Sequence, residues 1–181
     1  EVTDLNEIIK ILDKCMIVHL GLVDGDEPYV VPLNYGYTME DGKLTLYMHG
    51  AKTGYKLDLM RANPKVFFEM DCDVIPFEGK SACQYGTSYA SVMGRGLAEI
   101  VEDVEEKKKA LSILMKTQTG KDFEFTDKFC KSYLSADQYS PYDICATTNA
   151  EEILQEKTLS PGFSDGYIEN ICLYRSICLQ L

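Results

Sequence analysis

Apolar positions recur along this chain with two different periods, and the changes of period divide it into elements. DLNEIIKILDK, residues 4–14, carries Leu5, Ile8, Ile9 and Leu12 at helical spacing, with Asp4 or Thr3 as the cap. MIVHLGLV then alternates as a strand, and D-G-D-E-P breaks it. YVVPLNYGY is a second strand; Pro32 within it removes a ladder donor, so an edge, a bulge or a ligand is expected there. MEDGK turns the chain into KLTLYMH, a third strand, and the three runs predict an antiparallel meander.

TGYKLDLMRANPKV predicts a short helix starting near Thr53 and stopped by Asn63-Pro64, because the residue before proline avoids helical angles. VFFEMDCD is a fourth strand, and residues 74–87 lack a period and read as a long loop. SYASVMGRGLAEIVED is a long fifth strand whose Gly94 and Gly96 mark a bulge or sharp bend. DVEEKKKALSILMKTQTG is a helix, capped by Asp103 and closed by Gly120. This order, an α+β chain that is mainly β with flanking helices, suggests a small closed barrel. From about residue 127 the pattern fades: NAEEILQEK reads as a helical fragment and NICLYRSICLQL as a strand fragment.

Composition narrows the function classes. The chain has 181 residues, enough for one domain with a real core. No apolar run approaches the ~20 residues of a membrane span, and the first segment is an amphipathic helix, with no signal peptide expected. A net charge of −11 excludes broad nucleic-acid binding. The expectation is an acidic, soluble, cytoplasmic protein with neither nucleic acid nor membrane as partner. Seven cysteines are present, at 15, 72, 83, 130, 145, 172 and 178, without C-x-x-C spacing and with two histidines in the chain. Reduced thiols and no metal site are expected.

Candidate chemistry concentrates in LYMHGAKTGYK, residues 46–56. The pleat puts Leu44, Leu46 and Met48 on the core face of the third strand and Thr45, Tyr47 and His49 on the other. Gly50 and Ala51 keep the adjacent surface flat. Residues 43–65 carry Lys43, Lys52, Lys56, Arg61 and Lys65 against Asp58 alone, a local +4. Lysines at a helix N-terminus oppose the helix dipole unless an anion occupies the site, and a phosphate there is one reading. The alternative is that both lysines are ordinary solvated side chains. His19 is read as a half-exposed strand histidine without a function. Tyr85, Tyr89 and Ser91 offer a polar, aromatic surface suited to a flat heteroaromatic ligand.

Together, YVVPLNYGY, DGKLTLYMHGAKTGYKLDLMRANPKVFFEMD and YASVMGRGLAEIVED resemble the split-barrel FMN-binding proteins, in the branch related to pyridoxamine 5′-phosphate oxidase that includes NimA-like nitroimidazole-resistance reductases. The likeness spans roughly residues 5–128. It implies an antiparallel Greek-key split barrel over residues 1–128, assembled as a homodimer with FMN at the subunit interface. By the same resemblance, backbone groups of Pro32, Leu33, Asn34 and Tyr35 meet the isoalloxazine edge. His49, Gly50, Ala51, Lys52 and Lys56 surround the ribityl phosphate end. Tyr89 and Ser91 approach across the interface. His49 matches a histidine implicated in nitroimidazole reduction.

The implied activity is reduction of a small acceptor such as a nitroaromatic, with NADH or NADPH as transient donor; a near-neutral pKa suits His49 to donating a proton or orienting the acceptor. The alternatives are a non-catalytic FMN-binding or redox-sensing module and, ranked lower because the chain has three arginines, pyridoxamine 5′-phosphate oxidase activity itself. Two departures stand out. Ala90 replaces the family's usual arginine, and KSYLSADQYSPYDICATTNA replaces the expected closing strand, which sets residues 129–181 apart as an atypical segment.

Overall fold

The computed structural model describes residues 4–51, 53–126 and 143–158. Helix α1 (Leu5–Lys14) is followed by strands β1 (Ile17–Asp24), β2 (Glu27–Glu40) and β3 (Lys43–Gly50). Helix α2 (Tyr55–Ala62) leads to β4 (Lys65–Phe77), a 3-10 turn at Ala82–Gln84, β5 (Gly86–Glu99), α3 (Val104–Thr119) and β6 (Asp143–Thr158). The six strands close into an antiparallel barrel in the order β1-β2-β3-β6-β5-β4. β4 returns through α2 to lie beside β1, which is the Greek-key arrangement of three hairpin-connected strands and a returning fourth.

The expected meander is present. The β2–β3 connection is a two-residue Asp41-Gly42 turn with both residues at positive φ, the geometry whose twist matches the flanking strands. Asp4 caps α1 by accepting from the Asn6 N–H, and Asp103 caps α3 by accepting from the Glu106 N–H. Gly120 closes α3 in the left-handed conformation. A register shift at Arg95/Gly96 is the bulge that the β5 glycines announced.

Several expectations need correcting. The buried stripe of α1 is Ile8, Ile11 and Leu12, with Leu5 facing outward. The loop expected at 74–87 shrinks, because β4 continues through an irregular register at Cys72/Ile75 to Phe77 and β5 begins at Gly86. α2 begins at Tyr55 rather than near Thr53. NAEEILQEK is not helical: it lies inside β6, which pairs with β3 on one side and β5 on the other. ICATTNA, placed in the segment thought to replace the closing strand, is that strand's first half. The barrel therefore draws its sixth strand from beyond residue 128. NICLYRSICLQL lies outside the described residues.

The barrel interior holds Val18, Leu20, Leu22, Leu44, Leu46, Met48, Phe68, Met70 and Val92, with α1 and α2 contributing Leu12, Leu57 and Met60. The outer face of β3 is not left to solvent as its pleat suggested. Tyr47 packs under α3 with Val101 and Ala110 in a second cluster. α3 reaches this position because β2 offers Gly36: a Cβ there would stand 2.5 Å from the Cα of Leu114. Gly36→Ala is therefore expected to push α3 off β2 and cost about 1–3 kcal/mol, visible as a lowered thermal midpoint. An unchanged midpoint would refute the close approach.

Candidate functional site

Strand β2 changes partner midway, and this change builds the site. From Glu27 to Asn34 it pairs with β1. From Tyr35↔Met48 to Glu40↔Lys43 it pairs with β3. The β2–β3 pairing ends at Met48, where the β3–β6 ladder shifts register, and His49 and Gly50 pair with Ile144 and Asp143 of β6. Among the described residues, no strand pairs with the β3-facing edge of β2 at Pro32, Leu33 and Asn34, an edge of the kind that Pro32 predicted.

The parting is pinned from both sides of the sheet. The Tyr35 side chain is fully buried, and its hydroxyl donates to the Leu12 carbonyl at 2.6 Å and the Cys15 carbonyl at 3.2 Å, where α1 ends. Burial pushes the Tyr35 phenol pKa far up, so it remains a donor at any physiological pH. On the outside, Gln118 of α3 donates to the Tyr35 carbonyl at 2.8 Å and to the Met16 carbonyl at 3.2 Å, and accepts from the Asn34 amide at 3.1 Å. Sequence reasoning had no signal for Gln118: nothing local distinguishes one polar residue of a helix's last turn from another.

The remaining residues of this cluster come from the end of β3 and the start of α2. His49 is half-buried, Gly50 partly so, and Ala51 exposed. Lys52 lies outside the described residues. Gly54 caps α2 at φ +142°, a conformation open to glycine, and supplies no side-chain cap bond. The first amides of an α-helix have no intrahelical partner, and here none is supplied by a capping side chain. α2 is tied to the β1–β2 hairpin by Tyr55, whose ring meets Tyr29 edge-on at 5.6 Å and whose hydroxyl donates to Asp24.

Desolvation first, then the Lys56 ammonium, lowers the pKa of His49 below its ordinary value. The imidazole is therefore neutral at pH 7, able to donate from one nitrogen and accept at the other.

Tyr89 and Ser91 do not join this cluster. β6 separates their strand from β3, and His49 pairs with Ile144 whereas Ser91 pairs with Glu156, twelve residues further along β6. At ~3.3 Å per residue that is roughly 40 Å of strand. Tyr89 is half-buried, and Ser91 is 3% exposed. Ala90 between them lies in the barrel core.

Comparison with known proteins follows the geometry. A sequence model of pyridoxamine 5′-phosphate oxidase matches residues 4–137. The chain belongs to the pyridoxamine 5′-phosphate oxidase family. Among solved structures of this fold, a candidate 5-nitroimidazole antibiotic resistance protein from Bacteroides thetaiotaomicron is 27% identical, with a TM-score of 0.66 over 84% of this chain and 82% of that one. An FAD- and heme-binding protein from Mycobacterium smegmatis shares the fold at 17% identity and TM-score 0.66, over 92% of this chain and 76% of its own. The flavocytochrome Anf3 from Azotobacter vinelandii does so at 13% and 0.56, over 96% and 88%. No curated protein matches. No helix among the described residues of this family member is long and apolar enough to cross a membrane.

The lowered pKa of His49 sets a sign for stability against pH. As pH falls through ~6.5, the unfolded chain takes up a proton at this residue before the folded one does, so stability declines there. His49→Gln is expected to flatten that part of the profile, and an NMR titration of His49 to have its midpoint below ~6.5. A midpoint above that value would contradict the buried setting.

Proposed function

We propose that the protein is an FMN-dependent oxidoreductase whose cofactor lies along the unpaired edge of β2, with its phosphate at the start of α2. The observation that carries this reading is that three features fall around the end of the β2–β3 pairing. They are a β2 edge at Pro32–Asn34 that no described strand pairs, a half-buried neutral histidine, and a helix start without a side-chain cap beside Lys56. The residues present fit the group. The edge offers amide and carbonyl groups to a flat heterocycle, and a helix start with a lysine beside it suits a phosphate dianion. A phosphate also supplies the negative charge missing from a segment of net +4. Flavin-binding proteins share this fold, as the names of the M. smegmatis and A. vinelandii proteins state.

Bound FMN supplies reversible hydride and electron transfer, and the chain supplies binding and orientation. Pro32, Leu33 and Asn34 meet the ring edge with their backbone, while Tyr35 and Gln118 hold that backbone in place. Gly50 and Ala51 leave room for the ribityl chain, and Lys52 and Lys56 take the phosphate. His49, neutral at rest, orients a small oxidised acceptor by a hydrogen bond. A nitroaromatic is the acceptor class favoured by the likeness to the B. thetaiotaomicron protein, and NADH or NADPH is the donor. Because Tyr89 and Ser91 lie far along the barrel from His49, their part requires a second copy of the chain, so the working form is a homodimer.

The deciding experiment is the visible spectrum of the purified protein with the released cofactor weighed. A flavin spectrum and the mass of FMN support the reading; a colourless protein that fails to take up added FMN overturns it. With FMN bound, NAD(P)H should bleach the flavin and a nitro compound restore it. Retention of FMN with no such reduction would instead indicate a non-catalytic flavin module.

Two variants separate binding from turnover. Lys56→Gln should weaken FMN at least tenfold, equivalent to ~1.4 kcal/mol. His49→Ala should keep FMN and lose turnover. FMN should also raise the pKa of His49, because its phosphate cancels the lysine contribution that helps to lower it.

A further inference from the structure

A second constellation lies on the outer wall of the barrel, at the seam between β1 and β4. That ladder is the shortest in the barrel, consisting of His19↔Glu69, Leu20↔Phe68 and Gly21↔Phe67, whereas β4–β5 runs from Lys65↔Leu97 to Phe77↔Gly86. Leu20 and Phe68 face the core, so the next positions along each strand face outward. His19 and Glu69 stand directly opposite each other, and Asp71 follows Glu69 on the same face of β4. The His19 Nδ1 lies 3.1 Å from the Glu69 Oε2. One ligand atom from each of His19, Glu69 and Asp71 falls within 4.8 Å of the other two.

The geometry points to a divalent transition-metal site formed by His19, Glu69 and Asp71, in which the ion staples the β1–β4 seam. One imidazole nitrogen and two carboxylate oxygens form a donor set for ions of the zinc, cobalt and manganese class. Two donors bound at ~2.1 Å to one ion stand about 3.0–3.4 Å apart, for right-angle to tetrahedral geometry. The His19–Glu69 pair already has this separation, and a small rotation of the exposed Asp71 side chain brings the third donor in. Three protein ligands leave water to complete the coordination.

The carboxylates also favour a cation electrostatically. Glu69 is partly buried, and Asp71 presents a second carboxylate beside it on the same face, so the two negative charges repel. A dication between the two carboxylates replaces this repulsion with attraction. Cross-linking the shortest ladder restrains β1 against β4 in the way that a structural ion restrains any pair of segments it ligates. Three-ligand spacing was invisible in the sequence because His19 and Glu69 lie fifty residues apart and meet through barrel closure alone.

The test uses the full chain, free of any affinity tag, with its cysteines kept reduced by a phosphine and Co2+ as probe. One equivalent should bind with visible d–d bands and without the near-ultraviolet charge transfer of thiolate ligation. Since the chain has two histidines, the bound ion should broaden the imidazole signals of His19 and leave those of His49 in place. Co2+ or Zn2+ should raise the thermal midpoint of the wild type. His19→Ala and Asp71→Asn should each weaken binding at least tenfold and abolish that rise. Both side chains are exposed, so each variant is expected to fold, and the second serves if the first does not. Thiolate bands, broadening at His49, or equal binding by wild type and Asp71→Asn would overturn the site, as would the absence of any binding.

Discussion

A single strand that must serve two neighbours governs the site. β2 is long enough to span the barrel, yet β1 takes its first half and β3 its second, and the exchange occurs at Asn34–Tyr35. An unpaired strand edge is costly if buried and a liability if exposed. The groups at the exchange anchor β2 to the two helices that flank it. Tyr35 is anchored inward to the end of α1, Gln118 grips its carbonyl from outside, and Gly36 lets the α3 backbone lie directly on the strand. Each fastening removes a freedom through which β2 and β3 could have zipped shut. The rigid parts are apolar and helical, and the part left open consists of backbone and a few polar groups.

That division explains what was legible in the residues. Alternation over MIVHLGLV, YVVPLNYGY and KLTLYMH reports burial on one face, and short turns leave little choice of partner, so the meander followed directly. Helix caps at Asp4, Asp103 and Gly120 are local chemistry and were equally readable. β6 was not. Its Ala, Glu, Leu, Gln and Lys residues favour helix in isolation, but a strand with β3 on one side and β5 on the other is decided by its neighbours. The start of α2 was misplaced for a related reason: Gly54 at positive φ breaks the chain before the helix, and the residues around it read as helical on either side.

Of the site, the sequence pattern disclosed the residue types but not their distribution in space. His49, Gly50, Ala51 and Lys56 are neighbours along the chain, so their grouping needed no tertiary information. Pro32–Tyr35 joins them because the hairpin folds back. Tyr89 and Ser91 share a motif with that group yet sit far from it on the closed barrel, a separation that depends on the staggering of β6 between two partners. The same closure brings His19 to Glu69, which no local period could announce.

Charge links these pieces. A chain of net −11 keeps a +4 segment over residues 43–65, next to the point where β2 and β3 part, and places carboxylates along the seam where the barrel's ladder is shortest. At the opening, desolvation and Lys56 act in the same direction on His49, so the proton on that imidazole responds to whatever anion sits beside the lysine. At the seam, Glu69 is partly buried beside Asp71, so a cation between the two carboxylates would relieve their repulsion. Opposite signs of one electrostatic rule, that a half-buried charge needs a counter-charge, thus distinguish two places on a single barrel. In both places strand pairing runs short: β2 has lost β3, and β1 meets β4 over a few residues. Where the ladder cannot complete the wall, polar side chains collect, and these are the positions from which the chain can hold something other than itself.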